Sequence, residues 1–186
     1  MGVTVRPAAE VDLLALTRLD LTYPTDRYLA LTRGGEAPEH TFSFRWRNRV
    51  PEKAVAVYAD YSVGGLREAL SKTDLFLVAE IEGEITGLLM IIVDAATEAA
   101  EITDLAIDIA FRRVGAGRAL VDAAARWARE RPYRALWVEP RADNFEAISF
   151  YTKLGFRLAG FNDRMYTNRD HEDGRPTVFM YLELVN

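Results

Sequence analysis

The chain has 186 residues, a net charge of −5 at pH 7, two histidines and no cysteine. This length suits one domain, and the 49% of apolar residues can fill a sizeable core. Without cysteine there can be no disulfide, no thiolate nucleophile and no acyl-enzyme on sulfur. The acidic balance argues against a general nucleic-acid binder, and no apolar run reaches the roughly 18 residues that span a bilayer. We therefore expect a single domain over residues 1–186, with neither nucleic-acid nor membrane partners.

Metal binding and export are not indicated either. His40 and His171 lie far apart in sequence, so each is predicted to be a surface residue, and no metal is expected. The first residues lack the charged and apolar regions of a secretory signal. Arg6 stands where a myristoylation signal requires Ser or Thr. These features predict a cytoplasmic location.

The N-terminal part of the chain gives a short ordered start and then an irregular region. Alternation predicts a strand over 3–6, and apolar residues at helical spacing predict a helix over 8–19. The helical stripe consists of Val11, Leu14, Ala15 and Leu19. Residues 24–73 are interrupted by proline and glycine, so we expect a variable region with a strand or flap over 41–48 and a short helix over 66–71.

From residue 75 onward the pattern is regular. A turn at Glu82-Gly83 joins two apolar runs into a hairpin. The strands are predicted over 75–81, 84–93, 101–109, 134–139, 156–161 and 177–184, and the helices over 116–130 and 144–154. The strand–helix–strand step in the middle can form a right-handed parallel crossover. This order predicts an α/β (α+β) fold with helices packed on a mixed sheet.

One turn has the composition of a phosphate cradle. Arg112-x-x-Gly115-x-Gly117 falls where a strand ends and a helix begins. Glycines let a ligand approach the backbone closely, and the unpaired N–H groups of a first helical turn favour an anion. A pyrophosphate is the natural occupant, and the alternative is a glycine-rich helix cap without a ligand. A Walker loop would need Lys and then Ser or Thr at the end of the motif, and a Rossmann turn would need a small residue where Leu120 stands.

This turn and a second motif downstream resemble the GNAT family of N-acetyltransferases. The turn looks like the family's Q/R-x-x-G-x-G/A signature. The segment 144–156 looks like its Asn-led helix that ends in Tyr-x-x-x-Gly-Phe, here Tyr151 to Phe156. The likeness covers about residues 75–186 together with the first strand and helix. The tail from Phe161 to Leu182 is similar to the streptothricin acetyltransferase branch.

The resemblance implies a fold and a co-substrate, acetyl coenzyme A. In the GNAT fold, helices cover both faces of a mixed central sheet, and two strands, here 101–109 and 134–139, splay apart to hold acetyl coenzyme A. Backbone amides of the glycine turn would bind the pyrophosphate, and the preceding strand would run along the pantetheine arm. The residues that the resemblance assigns to the coenzyme are Leu105, Ala106, Ile107, Arg112, Arg113, Val114, Gly115, Ala116, Gly117, Arg118 and Asn144.

The implied reaction is N-acetylation of a primary amine of a small molecule. An ammonium, with a reference pKa of about 10.4, must lose a proton, and a thiol of pKa about 8.5 must leave. Tyr151 matches the family's general acid, and Glu101 matches the position of a base that acts directly or through water. Asp104 is the competing base, and strand alternation places it on the opposite face from Glu101 unless a bulge intervenes. Glu139 could instead bind a cationic acceptor.

Other interpretations remain open at this point. Tyr151 could be a packed core residue, and either carboxylate could be solvated or orient the acceptor. The 24–73 region is expected on the acceptor side, where Phe42, Phe44, Trp46 and Tyr61 line a pocket or pack as core. With no cysteine, transfer would be direct within a ternary complex. The alternatives are a non-catalytic acyl coenzyme A sensor, a protein N-terminal or lysine acetyltransferase and a partner-binding module. Many relatives form homodimers.

Overall fold

The computed structural model describes residues 2–56, 61–173 and 175–184. Two compact units divide the chain, and each is assembled from separate segments. The sheet unit comprises residues 1–22, 56–138 and 182–186, and the hairpin unit comprises residues 23–55 and 139–181. The expectation of a single domain over 1–186 stays a prediction.

The order of elements matches the sequence-based expectation closely from residue 75 onward, where every predicted strand and helix is present to within about two residues. In the N-terminal part, the strand or flap at 41–48 is part of a longer strand. In chain order the elements are β1 (Val3–Pro7), a 3₁₀ turn (Glu10–Asp12), α1 (Leu13–Leu16), β2 (Thr22–Gly34), β3 (Thr41–Ala56), α2 (Val63–Lys72), β4 (Leu75–Ile81), β5 (Glu84–Asp94), β6 (Ala99–Ile107), a second 3₁₀ turn (Ile109–Phe111), α3 (Ala116–Arg129), β7 (Ala135–Val138), α4 (Phe145–Lys153), β8 (Arg157–Asn162) and β9 (Thr177–Glu183).

The sheet unit is built on strands in the order β1-β4-β5-β6-β7. The first four pair antiparallel, and β6 pairs parallel with β7. The β4–β5 connection has two residues with positive φ, Glu82 at 53° and Gly83 at 83°, which is the geometry that tight hairpins prefer. The parallel β6–β7 step is made through α3, as the predicted crossover requires.

Helices cover both faces of this sheet, which confirms the predicted mixed α/β architecture. On one face Leu13 and Leu66, from α1 and α2, form a buried cluster with Val78 and Leu88 of the sheet. On the other face α3 packs against β1, β4, β5 and β6, and its buried side chains include Leu120. None of the helices in the described ranges has the length and apolar character needed to cross a membrane.

The first helix differs from the prediction in length and in the face that it buries. Instead of a helix over 8–19, a 3₁₀ turn leads into the single helical turn Leu13–Leu16. Leu13 and Leu16 are buried, whereas Val11 is 85% and Leu14 56% exposed. Asp12 explains the change, because its carboxylate accepts the Ala9 amide at 2.8 Å and so fixes a tight turn before the helix. The prediction therefore assigned the buried face of this helix to the wrong residues.

A partly buried ion pair ties this turn to the sheet. Arg6 on β1 donates to both carboxylate oxygens of Asp12, at 2.7 and 2.8 Å, and its Nη2 also contacts Glu80 of β4 at 2.5 Å. Asp12 is only 2% exposed. Hydrogen bonds from the Arg6 guanidinium hold the pKa of the Asp12 carboxyl below its usual range.

The hairpin unit contains two antiparallel pairs and one helix. β2 pairs with β3, β8 pairs with β9, and α4 precedes β8. Alternate residues of β3 carry aromatic rings. Phe42 and Phe44 meet Phe161 edge-on, with centroids 4.9 and 5.3 Å apart, and Trp46 meets Phe145 at 4.7 Å. These rings contact one another within the hairpin unit, and Phe42 is 49% and Trp46 40% exposed. Their role in an acceptor pocket stays a prediction.

The Arg6–Asp12 pair predicts how stability depends on pH. Because the folded-state pKa of Asp12 is lowered, its contribution is complete above the unfolded-state pKa of about 3.9 and is lost as the pH falls through the lower folded-state value. We expect Asp12→Asn to lower the free energy of unfolding by about 2 kcal/mol at pH 7. The difference from wild type should shrink as the pH falls below about 4.

Urea denaturation at pH 7, 4 and 3 measures this effect. Asp122→Asn, at an exposed position of α3, is the matched control and should leave stability unchanged. A wild-type-to-Asp12→Asn difference that stays constant across the three pH values would contradict the ion-pair account.

Candidate functional site

The glycine turn folds back on the end of β6. After the 3₁₀ turn, Arg113 has φ 66° and Gly115 has φ 100°, and Gly115 caps α3 in the left-handed conformation. The Nε atom of Arg112 donates to the carbonyl oxygen of Ile107, the last residue of β6, at 3.2 Å. The arginine of the motif therefore anchors the turn through its side chain, and the turn presents its backbone.

The N-terminus of α3 is suited to an anion. The first amide bonded within the helix is that of Ala119, which donates to the Gly115 carbonyl at 3.0 Å. The preceding amides, from Ala116 to Arg118, have no acceptor inside the helix and lie at the positive end of its dipole. A Cβ atom built on Gly115 would meet no heavy atom within 4 Å, and Arg113 is exposed beside it. These residues fit a coenzyme diphosphate.

The pairing between strands β6 and β7 ends before this turn. Their ladder runs from Ala99↔Ala135 to Glu101↔Trp137 and stops there, because β7 ends at Val138 while β6 continues to Ile107. The predicted splay of the two strands is thus present. The three residues assigned to the pantetheine arm, Leu105, Ala106 and Ile107, all lie on β6 beyond the last paired rung.

A bulge in β6 changes the relation between the two carboxylates of this strand. Met90 of β5 pairs with Asp104, and the next residue, Ile91, pairs with Ile102, so Thr103 is the extra residue. Glu101 pairs with Ile92, two residues from Met90. Residues two apart on a strand share a face, so Glu101 and Asp104 also share one. The expectation of opposite faces is wrong, and the bulge that was named as its exception is the cause.

Asp104 has a partner that the sequence did not suggest. The phenol of Tyr61 donates to Oδ1 of Asp104 at 2.6 Å. Tyr61 immediately precedes Ser62, whose hydroxyl caps α2 by accepting the Gly65 amide at 3.0 Å. Tyr61 was expected in an acceptor pocket or in the core, and here it packs against the buried cluster beneath α1 and α2.

The remaining predicted residues belong to the hairpin unit. Asn144 caps α4, with its Oδ1 accepting the Ala147 amide at 3.0 Å, so the polar group left to the side chain is the Nδ2 donor. Tyr151 is 7% exposed, and its ring packs against Phe150 and Phe156, with centroids 5.4 and 5.2 Å apart. Gly155 has φ 94°, as expected for a left-handed helix terminator.

Glu139 has an unusual environment for a carboxylate. Burial raises the pKa of the Glu139 carboxyl above its usual range. The hydroxyl of Tyr166 lies 3.4 Å from its Oε1 and opposes that shift only in part. A raised pKa of this kind brings a carboxylate nearer to the range in which it can exchange protons at neutral pH.

A buried polar cluster, which no sequence pattern indicated, holds the loop that begins at Glu139. Asp143 is fully buried, with the Nη2 atom of Arg141 at 3.2 Å and the Nε atom of Arg175 at 3.6 Å. Backbone bonds add to this, since the Ala142 amide donates to the Pro176 carbonyl at 2.7 Å. The cluster fixes the loop between β7 and α4, which carries Glu139 at one end and Asn144 at the other.

The described residues contain no group of three or more His, Asp or Glu side chains placed to hold a metal ion.

Comparison with known proteins identifies the family. The sequence profile described as the Acetyltransferase (GNAT) family matches residues 36–156, more than half of the chain. The chain belongs to this family of acetyltransferases.

Relatives with known names support the same assignment. The chain is 30% identical over 107 residues to streptothricin acetyltransferase of Streptomyces lavendulae, a match that covers 58% of this chain and 56% of that protein. It is 34% identical over 80 residues to the ribosomal protein bS18-alanine N-acetyltransferase of Escherichia coli K12, covering 43% and 51%. The matched segment spans about half the length of each of these curated relatives.

Solved structures extend the likeness over the whole chain. Nourseothricin acetyltransferase superimposes with a TM-score of 0.82 at 24% identity and covers 100% of both chains. A streptothricin acetyltransferase candidate from Bacillus anthracis, solved with acetyl coenzyme A, has a TM-score of 0.81 at 21% identity, covering 98% of this chain and 99% of that one. These structures establish the GNAT fold, and the streptothricin branch is the one that the sequence tail resembled.

Proposed function

We propose that this protein transfers the acetyl group of acetyl coenzyme A to a primary amine of a small molecule, by direct attack within a ternary complex. One observation carries the proposal. The N-terminus of α3 presents backbone amides, and eight residues separate it from the end of β6, a strand whose last six residues do not pair with its parallel neighbour β7. A coenzyme with a diphosphate and an extended amide-containing arm matches both features.

The proposed contacts of the coenzyme follow from this arrangement. The amides from Arg113 to Arg118 bind the diphosphate, and the side chain of Arg112 keeps the turn against β6. The backbone of Leu105 to Ile107, beyond the last rung shared with β7, pairs with the pantetheine amides. Asn144 offers its Nδ2 amide while its Oδ1 caps α4.

The proposed chemistry needs one proton acceptor and one proton donor. Glu101 takes a proton from the acceptor ammonium, directly or through water, and the amine nitrogen then bonds to the thioester carbonyl carbon. The carbon–sulfur bond breaks, and Tyr151 donates its phenolic proton or a hydrogen bond to the departing sulfur. The nitrogen gives up its second proton to water or to the Tyr151 phenolate, and Glu101 returns its proton to solvent. A backbone amide of β6 accommodates the oxyanion. No covalent acyl-enzyme is required.

Glu139 is a second candidate for the base. The observation in its favour is the pKa, which burial raises in Glu139. The observation in favour of Glu101 is its position at the last paired rung of β6 and β7, where the strands begin to diverge. The two roles are separable by experiment.

The acceptor class is supported by the named relatives. Streptothricin acetyltransferases match both the sequence and the fold, which favours a small molecule with an amino group. The relatives named for bS18-alanine acetylation favour a second candidate, a protein N-terminus. A sensor that binds an acyl coenzyme A without turnover is the third outcome that an assay must separate.

Coenzyme binding should depend on the conformation of Gly115 specifically. We expect Gly115→Ala to weaken coenzyme A binding by about tenfold or more, because L-residues disfavour its φ of 100° and the cradle must distort. Isothermal titration calorimetry with coenzyme A measures the change.

Gly83→Ala is the matched control for this variant. Gly83 has φ 83° and, like Gly115, has open space where a Cβ atom would stand, but it lies in the β4–β5 turn. Both variants should lose about 1–2 kcal/mol of stability, and only Gly115→Ala should lose affinity. Equal affinities of the two variants for coenzyme A would show that the diphosphate does not bind at the N-terminus of α3.

Replacing the proposed acid should separate catalysis from binding. We expect Tyr151→Phe to lower kcat by about 100-fold or more while the Kd for acetyl coenzyme A changes little, because only the proton donor is removed. Acetyl coenzyme A consumption and calorimetry measure the two quantities. Tyr133→Phe, whose ring packs against Trp127 of α3, is the control and should turn over as wild type. Wild-type turnover in Tyr151→Phe would contradict the assignment.

The base can be identified from the pH profile of kcat/KM. We expect Glu101→Gln to lower kcat by about 100-fold or more and to abolish the acid limb of the profile, since the carboxylate that must be ionised is gone. Glu139→Gln should keep that limb. The opposite result would identify Glu139 as the base. In that case the acid limb of the wild-type profile would lie above the ordinary glutamate pKa range, because the pKa of Glu139 is raised, and the limb would be lost in Glu139→Gln.

A further inference from the structure

The bulge in β6 places two carboxylates on one face of this strand, at and beyond the point where its pairing with β7 ends. Glu101 sits at the last rung shared with β7, and Asp104 lies beyond it on the diverging part of β6. Thr103, the bulged residue, brings Asp104 onto the face of Glu101. Only Glu101 has a role in the proposed reaction, so the function of Asp104 is left to be explained.

Asp104 is held by a rigid neutral donor. The Tyr61 hydroxyl lies 2.6 Å from its Oδ1, and the tyrosine ring is fixed by packing against the buried cluster and by the cap of α2 that follows it. A phenol has few rotatable bonds, so it orients the carboxylate at little entropic cost. A phenol hydroxyl is a neutral donor, so this hydrogen bond does not itself neutralise the charge of a carboxylate.

The surroundings of Asp104 make a cation a suitable ligand. Its paired neighbour Met90 is 3% exposed, and Ala106, two residues along β6, is 6% exposed. Asp104 itself is partly buried. Across the described part of the chain, none of the ion pairs includes Asp104. A partly buried carboxylate whose hydrogen-bond donor is a neutral phenol favours a cationic ligand, because opposite charges attract more strongly near a protein surface than in bulk water.

We propose that Asp104, positioned by Tyr61, binds the protonated amino group of the acceptor and so selects cationic amines. This inference rests on the proposed acetyl transfer and names the residue that recognises the acceptor. Asp104 touches the substrate, and Tyr61 acts through Asp104 as a positioning residue. Glu101, on the same face of β6, is then the carboxylate to which the bound ammonium can release its proton.

A purely structural role for the pair makes a different prediction. A Tyr61–Asp104 bond that only fastened α2 to β6 would affect stability and would leave the affinity for a cationic acceptor unchanged. The KM of the acceptor and its dependence on salt therefore distinguish the two roles, since attraction between a carboxylate and an ammonium is weakened by ionic strength.

The experiment compares wild type, Asp104→Asn and Tyr61→Phe with streptothricin and spermidine as acceptors, at 20 and 500 mM KCl (about 20 Å and 4 Å of screening length). We expect Asp104→Asn to raise the acceptor KM about 10- to 100-fold at low salt with little change in kcat or in the KM of acetyl coenzyme A. Tyr61→Phe should raise it about 3- to 10-fold. The wild-type KM should rise with salt, and that of Asp104→Asn should be insensitive to it.

Asp122→Asn, on the exposed face of α3, is the charge-matched control and should behave as wild type. Thermal denaturation shows that the variants are folded, and Tyr61→Phe keeps the test open if Asp104→Asn is unstable. An unchanged acceptor KM in both variants would overturn this inference and leave the proposed function standing. A wild-type protein that binds coenzyme A but acetylates neither acceptor would overturn the small-molecule function and this inference together.

Discussion

The candidate site depends on the point at which β6 stops pairing with β7. Two parallel strands share rungs only as far as Glu101 and Trp137, and β6 then runs on for six residues without its neighbour. An unpaired strand edge exposes backbone donors and acceptors that need partners. A coenzyme arm with amide groups can supply them, and the helix that follows β6 supplies an anion site at the same end.

The glycine turn serves this arrangement in two ways. Its arginine, Arg112, holds the turn to the carbonyl of Ile107, so the helix begins close to the end of the strand. Its glycine, Gly115, adopts the left-handed conformation at the N-cap position from which α3 starts. Charge on the exposed Arg113 adds to the helix dipole. In the proposed site the motif therefore acts through its backbone amides, and its side chains mainly hold the turn in position.

The sequence predicted the elements that depend on local patterns. Apolar periodicity, the Glu82-Gly83 turn and the two family motifs located every strand and α-helix from β4 to β9, because each of these signals lies within a short stretch of chain. The first helix was misplaced, because the frame of a short helix depends on one side-chain bond from Asp12 to the Ala9 amide. Alternation alone placed Asp104 on the wrong face, since a bulge leaves no reliable mark in a single sequence.

Contacts between distant residues were also beyond the sequence. Tyr61 and Asp104 are separated by 43 positions, and nothing in either neighbourhood indicates the bond that joins them. The buried Asp143 cluster joins a loop before α4 to residues near β9, and its charges resemble an ordinary solvated loop. Both features fix the position of a carboxylate through contacts between residues that are far apart in sequence.

The most direct test of the account is a titration of ¹⁵N-labelled protein with coenzyme A, followed through the backbone amide resonances. We expect the largest shifts on the amides from Arg113 to Arg118, with smaller ones along Leu105 to Ile107. Saturating coenzyme A that left those resonances in place, or moved only signals elsewhere in the chain, would contradict it.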